Sequence, residues 1–284
     1  MSGVLRGSPG GARHVSRRTD LGYGLAAAAA AAIAFWLLGN DGYPGGPDEC
    51  IALGDCYCEA IRPGRVAQPA NSWSNAGFVF AGLAVLAHLR RTGPALMASD
   101  PFYPRLYGAL GIFLGVGSFA FHGTMKAWGG AADLISMYAY IAFVVAYDLA
   151  RVGEWRRVRF GAVFTAVTLV PSLALAVMPS EHGKWLFAIL VGVALLLEVA
   201  VSFPSLRPWA PRPIDPVRRP WFWAGLGSFV VANGVWNVSH TGGPWCDPHS
   251  LWQGHALWHL LSAVAVWCFY LYFLAEREVE PASA

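Results

Sequence analysis

Long hydrophobic segments alternate with short polar joints along almost the whole chain. Each segment is close to the roughly 20 residues that a helix needs to cross the hydrocarbon core of a bilayer. The joints are polar or rich in proline and arginine, and none is long enough to hold a large soluble domain. The pattern therefore predicts an all-α polytopic membrane helical bundle with eight spans, at residues 21–38, 73–89, 107–122, 132–149, 160–178, 184–203, 221–239 and 252–275.

The composition supports a membrane protein and narrows its partners. Hydrophobic residues make up 56% of the chain and charged residues only 13%, with a mean hydropathy of +0.44. A soluble domain usually carries about 25% charged residues. The chain contains no glycine-rich phosphate loop, no nucleophile elbow and no nucleic-acid signature. These absences argue against nucleic acid as a partner; nothing in the sequence indicates an oligomeric state.

Arginines are concentrated on alternate joints, which predicts the orientation of the chain. They are sparse on the intervening joints, apart from Arg62 and Arg65 in the first loop. By the positive-inside rule both termini are cytoplasmic, as an even number of spans allows. The arginines that carry this prediction are Arg6, Arg13, Arg17, Arg18, Arg90, Arg91, Arg105, Arg151, Arg156, Arg157, Arg159, Arg207, Arg212, Arg218 and Arg219.

The first span has a basic flank and an alanine-rich core, which fits a retained anchor or a cleaved signal peptide. Its core continues through Leu38 and no clean small-x-small cleavage site follows. We therefore favour a retained anchor.

Four of the five cysteines fall in predicted outer loops, where disulfides persist. Cys56 and Cys58 form a Cys-x-Cys pair that could bind a metal, but no second ligand pair at zinc-finger spacing accompanies it. We expect instead a disulfide between the first outer loop, which also contains Cys50, and Cys246 in the last. The spacing does not give the partner, and Cys268 in the final span is expected to be a buried thiol.

Four polar residues that are distant in sequence are predicted to lie at the same membrane depth. His122 ends the third span and Asp133 begins the fourth, while His255 and His259 begin the eighth. The charge-based topology places all four near the outer face. Ionisable residues within membrane spans are costly and mark function by default.

The spacing of these residues indicates catalytic zinc. His255 and His259 are four residues apart, so both imidazoles leave one face of a helix, and Ser118 stands one turn before His122. Three histidines with an open fourth position are typical of a catalytic zinc site, which lowers the pKa of bound water to about 7. Asp133 would act as general base and Ser118 would hydrogen-bond the developing oxyanion.

Other interpretations of the same residues remain open. Bis-histidine haem ligation or a proton relay in a transport protein would also use intramembrane histidines, although haem ligands normally face each other across two helices. Asp133 alone could be an interfacial carboxylate, and Ser118 alone could be a small packing residue. Glu198 lies too far toward the cytoplasmic end of the sixth span to join the zinc site.

The motifs Gly117-Ser118-Phe119-Ala120-Phe121-His122, Asp133, and Gly254-His255-Ala256-Leu257-Trp258-His259 resemble the alkaline ceramidase family. They are also similar to the wider superfamily of seven-span membrane hydrolases, which includes adiponectin-receptor-like proteins and glycolipid-anchor-remodelling enzymes. The resemblance implies that His122, His255 and His259 bind zinc and that Ser118 and Asp133 are catalytic. It divides the chain into a basic tail (1–20), an extra N-terminal span (21–39), an outer loop (40–70), a seven-span hydrolase core (71–275) and a cytoplasmic tail (276–284).

The resemblance extends to the first outer loop, where ceramidases of this type have a disulfide and a calcium site. It implies a disulfide between Cys58 and Cys246. The candidate calcium ligands are Glu59, Asp55 and Asn71. Gln68 stands where an acidic ligand would align, and calcium prefers six to eight oxygen ligands with several carboxylates.

The sequence thus predicts a zinc-dependent intramembrane hydrolase with its site near the outer leaflet. The resemblance to ceramidases implies that a membrane lipid is its substrate and that it cleaves the amide bond of a ceramide-like lipid. An ester-cleaving hydrolase uses the same oxyanion, and a receptor-like member of the superfamily is a further alternative. Short loops indicate a bacterial inner membrane.

Overall fold

The computed structural model describes residues 9–40, 42–89, 93, 95–153, 155–178, 180–202, 214–215, 219–275 and 277–278. Within them the chain is helical almost throughout, which confirms the predicted all-α class. Two residue pairs form a minimal antiparallel ladder, β1 (Ile214–Asp215) and β2 (Arg277–Glu278). The helices are α1 (Pro9–Leu38), α2 (Glu49–Leu53), α3 (Pro69–Ser74), α4 (Ala76–Ala87), α5 (Leu96–Ser99), α6 (Phe102–Thr124), α7 (Ala127–Gly153), α8 (Arg157–Ala174), α9 (Ser180–Ser202), α10 (Arg219–Val238) and α11 (Gly254–Phe273).

Six helices of the described chain are long and apolar enough to cross a membrane, as expected of an integral membrane protein. They lie within α1, α6, α7, α8, α9 and α11. The other two predicted spans correspond to α3 with α4, and to α10. Parts of the sequence-based predictions fall outside the described residues: Phe203 at the end of the sixth span, Arg6, Arg90, Arg91, Arg207, Arg212 and Arg218 among the orienting arginines, and 279–284 of the tail.

The second predicted span, 73–89, is not one helix. It is divided at Asn75 into α3 and α4, and α3 begins before the predicted start. Side chains of α3 compete with the helical ladder for backbone carbonyls, because Ser72 Oγ donates to Gln68 O and Asn75 Nδ2 donates to Asn71 O. Helices α6 and α7 extend several residues beyond their predicted spans at one or both ends, since a helix does not stop where its hydrophobic residues do, whereas α11 is shorter than its predicted span.

Glycines allow α4 and α6 to approach closely. A Cβ on Gly115 would lie 2.7 Å from Asn75 O, and a Cβ on Gly82 would clash with the carbonyl oxygen of Gly108. Small residues serve this purpose in membrane helices, where close backbone packing replaces the hydrophobic effect as the driving force. The approach places the end of α6 directly beside α3.

Helices α6, α7, α8 and α11 enclose a core of aromatic rings. Tyr107, Phe143, Tyr147, Phe160 and Tyr270 are fully buried there. This core separates two buried polar clusters. We call the end of the bundle that holds His122 the histidine end, and the end that holds Arg151 the arginine end.

Loops form a covering layer over the histidine end. Disulfides join Cys50 to Cys56 and Cys58 to Cys246, so the Cys-x-Cys pair holds two bridges rather than a metal. Backbone hydrogen bonds run from Ala60 N to Pro248 O and from Asp48 N to Met125 O, each at 2.9 Å. The first loop is thereby tied both to the loop before α11 and to the turn between α6 and α7.

Candidate metal centre

Three imidazoles converge at the histidine end. His122 lies in the last turn of α6, and His255 and His259 lie in the first two turns of α11; all three are buried. Their candidate ligand atoms lie within 4.8 Å of one another, and Nε2 of His122 is 3.1 Å from Nε2 of His255. Within the described chain this is the cluster of histidine, cysteine and acidic side chains that could hold a metal ion.

The hydrogen bonds of His259 direct its free nitrogen toward the cluster. Ser74 Oγ lies 2.8 Å from His259 Nδ1, and the same hydroxyl donates to Asn71 O at 2.9 Å. Because the serine hydrogen is used by the carbonyl, Nδ1 must donate to the serine oxygen. Nε2 of His259 is then left with its lone pair, which faces Ser118 and the other imidazoles.

The donor set fits a zinc ion held by three nitrogens. Zinc–nitrogen bonds of about 2.0–2.1 Å at tetrahedral angles place the ligand nitrogens roughly 3.3 Å apart. Nε2 of His122 and Nε2 of His255, at 3.1 Å, are close to this separation, and all three ligand atoms lie within 4.8 Å of one another. Two imidazole nitrogens face each other at 3.1 Å, and a third lies nearby. A cation between them would bind the lone pairs of all three.

Ser118 and Asp133 complete the cluster without belonging to its ligand set. Ser118 Oγ lies 3.5 Å from His259 Nε2 and is in hydrogen-bonding contact with the Asp133 carboxylate. The contact arises because α6 ends at Met125 in the left-handed region, φ 51°, and α7 starts two residues later. This sharp turn brings the first turns of α7, and therefore Asp133, back alongside Ser118.

A cation and an aromatic ring border the metal centre. The ring of Tyr57 stacks on His255 with a centroid distance of 4.2 Å, and Lys184 Nζ lies 4.8 Å from the centre of the Tyr57 ring. Lys184 also interacts electrostatically with Asp133 and Asp48. In the covering loop, burial raises the pKa of Asp48, while the Cys50 N–H and Lys184 act in the opposite direction.

The candidate calcium ligands do not form a comparable cluster. Both carboxylate oxygens of Glu59 accept backbone N–H groups at the start of α3, from Ala70 at 2.9 Å and from Asn71 at 2.8 Å. Asp55 is exposed to solvent, whereas the Asn71 side chain is buried. The donor set does not fit calcium, which requires several free carboxylate oxygens around one point.

The comparison with protein families agrees with this geometry. The sequence model of the ceramidase family matches residues 57–281, which is most of the chain. This chain belongs to the ceramidase family. Its three-histidine cluster, Ser118 and Asp133 all lie inside the matched region, and so do the disulfide partners Cys58 and Cys246. Among curated proteins, none matches the chain in sequence. Membership of the family supports hydrolysis of ceramide as its activity.

Sequence reasoning did not assign roles to several residues around the site. Gln68 and Ser74 contact two of the three imidazoles, and Tyr57 stacks on the third. One signal was available: Gln68, Asn71 and Asn75 follow the i, i+3, i+7 spacing of a single helix face. A polar face at the start of a predicted membrane span needs buried partners. Here Gln68 contacts His122, Asn71 Nδ2 donates to Gln68 Oε1, and Asn75 Nδ2 donates to Asn71 O.

Proposed function

We propose that this ceramidase-family chain is a zinc-dependent intramembrane hydrolase that cleaves the amide bond of a ceramide-like lipid. The observation that carries the proposal is the convergence of three buried imidazoles beside a serine and a carboxylate that are not needed as ligands. A catalytic zinc site has this composition, with three protein ligands and one position left for water or substrate.

The chain's own residues divide the chemical work. Bound zinc would supply an acidified water and polarise the scissile carbonyl. The Asp133 carboxylate would accept a proton from the attacking water and would later give it to the leaving amine. Ser118 Oγ, which faces the imidazole cluster, would donate a hydrogen bond to the negative charge that develops on the carbonyl oxygen. The contact between Ser118 and Asp133 holds both groups in position before the substrate binds.

We place the site near the outer face of the membrane, with both termini in the cytoplasm, on the distribution of arginines. A lipid would then enter laterally with its amide at the depth of the imidazoles.

The packing of the imidazoles argues against the haem alternative. His122 and His255 have ring centroids 4.8 Å apart, and Tyr57 covers the other side of His255. Bis-histidine haem ligation needs a macrocycle between two facing rings. The described packing leaves no such gap.

The test measures bound metal and lipid hydrolysis on the same detergent-purified protein. Elemental mass spectrometry should find about one zinc per chain in the wild type. The same preparation should release fatty acid from a fluorescent ceramide faster than from the matching ester. The variant H259A should lack both the zinc and the activity.

The matched control is H240A. His240 is exposed in the loop after α10, where its ring contacts Asn237 O, and it takes no part in the cluster. This variant should keep its zinc and its activity. Wild-type protein that contains zinc but releases no fatty acid from ceramide would contradict the proposed function, and wild-type protein without zinc would contradict its mechanism.

A further inference from the structure

Gln68 is fully buried and links the covering loop to the metal centre through its side chain. Its amide nitrogen donates to two backbone carbonyls of the loop, Cys56 O at 2.6 Å and Glu59 O at 2.7 Å. Its amide oxygen lies 2.8 Å from Nδ1 of His122. One side chain therefore contacts both the loop and a candidate metal ligand.

The two carbonyls flank a strained turn. Tyr57 and Cys58 both have positive φ angles, 64° and 65°, although neither is glycine. Such conformations are unfavourable for residues other than glycine and persist only where the surroundings impose them. The turn presents the Tyr57 ring to His255, and the ring also makes an edge contact with His122. By holding both ends of the turn, Gln68 keeps this ring against the metal ligands.

The contacts of Gln68 also fix which nitrogen of His122 is free. A carbonyl oxygen only accepts hydrogen bonds, so the two loop carbonyls require the amide nitrogen on their side. The amide oxygen must then face His122, and Nδ1 must donate to it. Nε2 is left with its lone pair and points to His255 at 3.1 Å. A histidine that binds a metal through one ring nitrogen normally donates a hydrogen bond from the other, as Nδ1 of His122 does to the Gln68 amide oxygen.

The same arrangement accounts for the poor fit of the loop to calcium. The amide nitrogen of Gln68 lies between two carbonyl oxygens, a position in which their lone pairs would otherwise attract a cation. Glu59, whose carboxylate is the nearest acidic group in the sequence, is engaged by the start of α3. The loop is thus ordered by a neutral amide.

We propose that Gln68 is a positioning residue that couples the turn at Tyr57 and Cys58 to the metal ligand His122, and that its amide replaces a bound cation in this loop. The inference rests on the proposed metal site. It concerns metal binding and loop order, both of which can be measured without any lipid substrate.

The test compares the zinc affinity and melting temperature of Q68M and Q68E with those of the wild type. Methionine has a similar size but no donor and only a weak sulfur acceptor, so the zinc affinity should fall about 10–100-fold. Glutamate keeps an acceptor for His122 but loses the donor to the carbonyls. Q68E should therefore retain its zinc affinity, melt at a lower temperature, and recover stability when calcium is added. Calcium and its chelator should leave the wild-type melting temperature unchanged.

Gln253 offers a matched control. It is also a buried glutamine, and its amide nitrogen also donates to two loop carbonyls, Asp247 O at 2.9 Å and Ser250 O at 2.8 Å. Its side chain has no hydrogen bond to an imidazole in the described contacts. The variant Q253M should lower the melting temperature without the loss of zinc affinity expected of Q68M.

Two results would overturn the proposal. If Q68M binds zinc as tightly as the wild type, or no more weakly than Q253M, Gln68 does not position His122. If calcium stabilises the wild type, or fails to stabilise Q68E, the amide does not replace a cation. If zinc binding depends on Gln68 but the protein does not hydrolyse ceramide, the proposed function is wrong and this inference still holds.

Discussion

The bundle contains two buried polar clusters, one at each end, and they are built on opposite principles. At the histidine end, three imidazoles converge, and the partners that hold them are the uncharged side chains Gln68 and Ser74. At the arginine end, the guanidinium of Arg151 faces two carboxylates, with Asp148 at 2.8 Å and Glu198 in closer contact.

Aromatic side chains around Arg151 make further contacts with the guanidinium and with its carboxylate partner. Tyr272 Oη donates to the Glu198 carboxylate, and the rings of Tyr147 and Phe273 lie 5.9 and 5.2 Å from the guanidinium carbon. Both the cation and its counter-charges are part of the chain, and all are buried.

The difference shows how a buried polar cluster that stabilises the fold can be distinguished from one that serves a reaction. A cluster that contains its own cation and anions is complete once α7, α9 and α11 have packed. A cluster of convergent lone pairs is completed only by an ion from outside. We therefore expect the arginine end to determine stability and the histidine end to determine activity, and four experiments can break or sharpen this division.

Removal of metal should have the largest effect. A strong zinc chelator should reduce lipid hydrolysis to the uncatalysed background, and added zinc should restore it, because the cation of the histidine end is not part of the chain. The variant E198Q, altered at the arginine end, should respond to the chelator as the wild type does. If hydrolysis continues in the presence of the chelator, the activity of the histidine end does not depend on a bound cation, and the proposed difference between the two ends is wrong.

Substitution of Arg151 by methionine should lower the free energy of unfolding by about 3–5 kcal/mol, since Asp148 and Glu198 would remain buried without their cation. Denaturant or thermal unfolding in detergent measures this, while zinc per folded chain should stay constant. The control is R157M, which removes the exposed ion pair between Arg157 and Asp100. Surface pairs contribute little, so an R151M protein as stable as R157M would refute the structural role of the arginine end.

Removal of the Ser118 hydroxyl tests whether catalysis and metal binding are separable within the histidine end. The variant S118A should lose about 10²–10³-fold in kcat, the usual effect of deleting one oxyanion donor, and should keep its zinc. S228A is the control, because Ser228 donates to Leu261 O away from the cluster. If S118A loses its zinc, Ser118 instead contributes to metal binding.

Asp48 should give the smallest effect, and a pH-dependent one. Burial raises its pKa above the usual 3.8, so the unfolded chain ionises first as the pH rises. The wild type should therefore lose stability relative to D48N as the pH increases through this window. Asparagine still caps α2 through the Cys50 N–H, which removes the pH effect without removing the cap. The melting temperatures of the wild type and D48N, measured across acidic pH, give this difference in stability. If the difference does not change with pH, burial does not raise the pKa of Asp48.

Much of the fold was predictable because hydrophobic length and arginine distribution are local properties of the chain. The all-α class and the resemblance to ceramidases are confirmed. The convergence of His122 with His255 and His259 followed from placing spans at a common depth, with no knowledge of their packing. Their roles as zinc ligands, and those of Ser118 and Asp133, stay predictions.

The remainder depends on contacts that no local pattern encodes. The break at Asn75 arises because polar side chains of α3 bond to nearby carbonyls, within a segment that is hydrophobic enough to be one span. The role of Gln68 depends on a turn in the loop and on the end of α6, which meet only in the folded bundle. The resemblance to ceramidases suggested a missing acidic ligand there, whereas the structure shows a side chain that contacts both the loop carbonyls and His122.

The position of α11 in the chain has a consequence for biogenesis. Two of the three imidazoles lie on this last long helix, more than a hundred residues after His122 on α6. During synthesis the nascent chain therefore acquires most of its helices while it still contains only one imidazole of the cluster. A nascent or truncated chain that lacks α11 has only one of the three imidazoles, so the candidate metal centre can assemble only when translation is nearly finished.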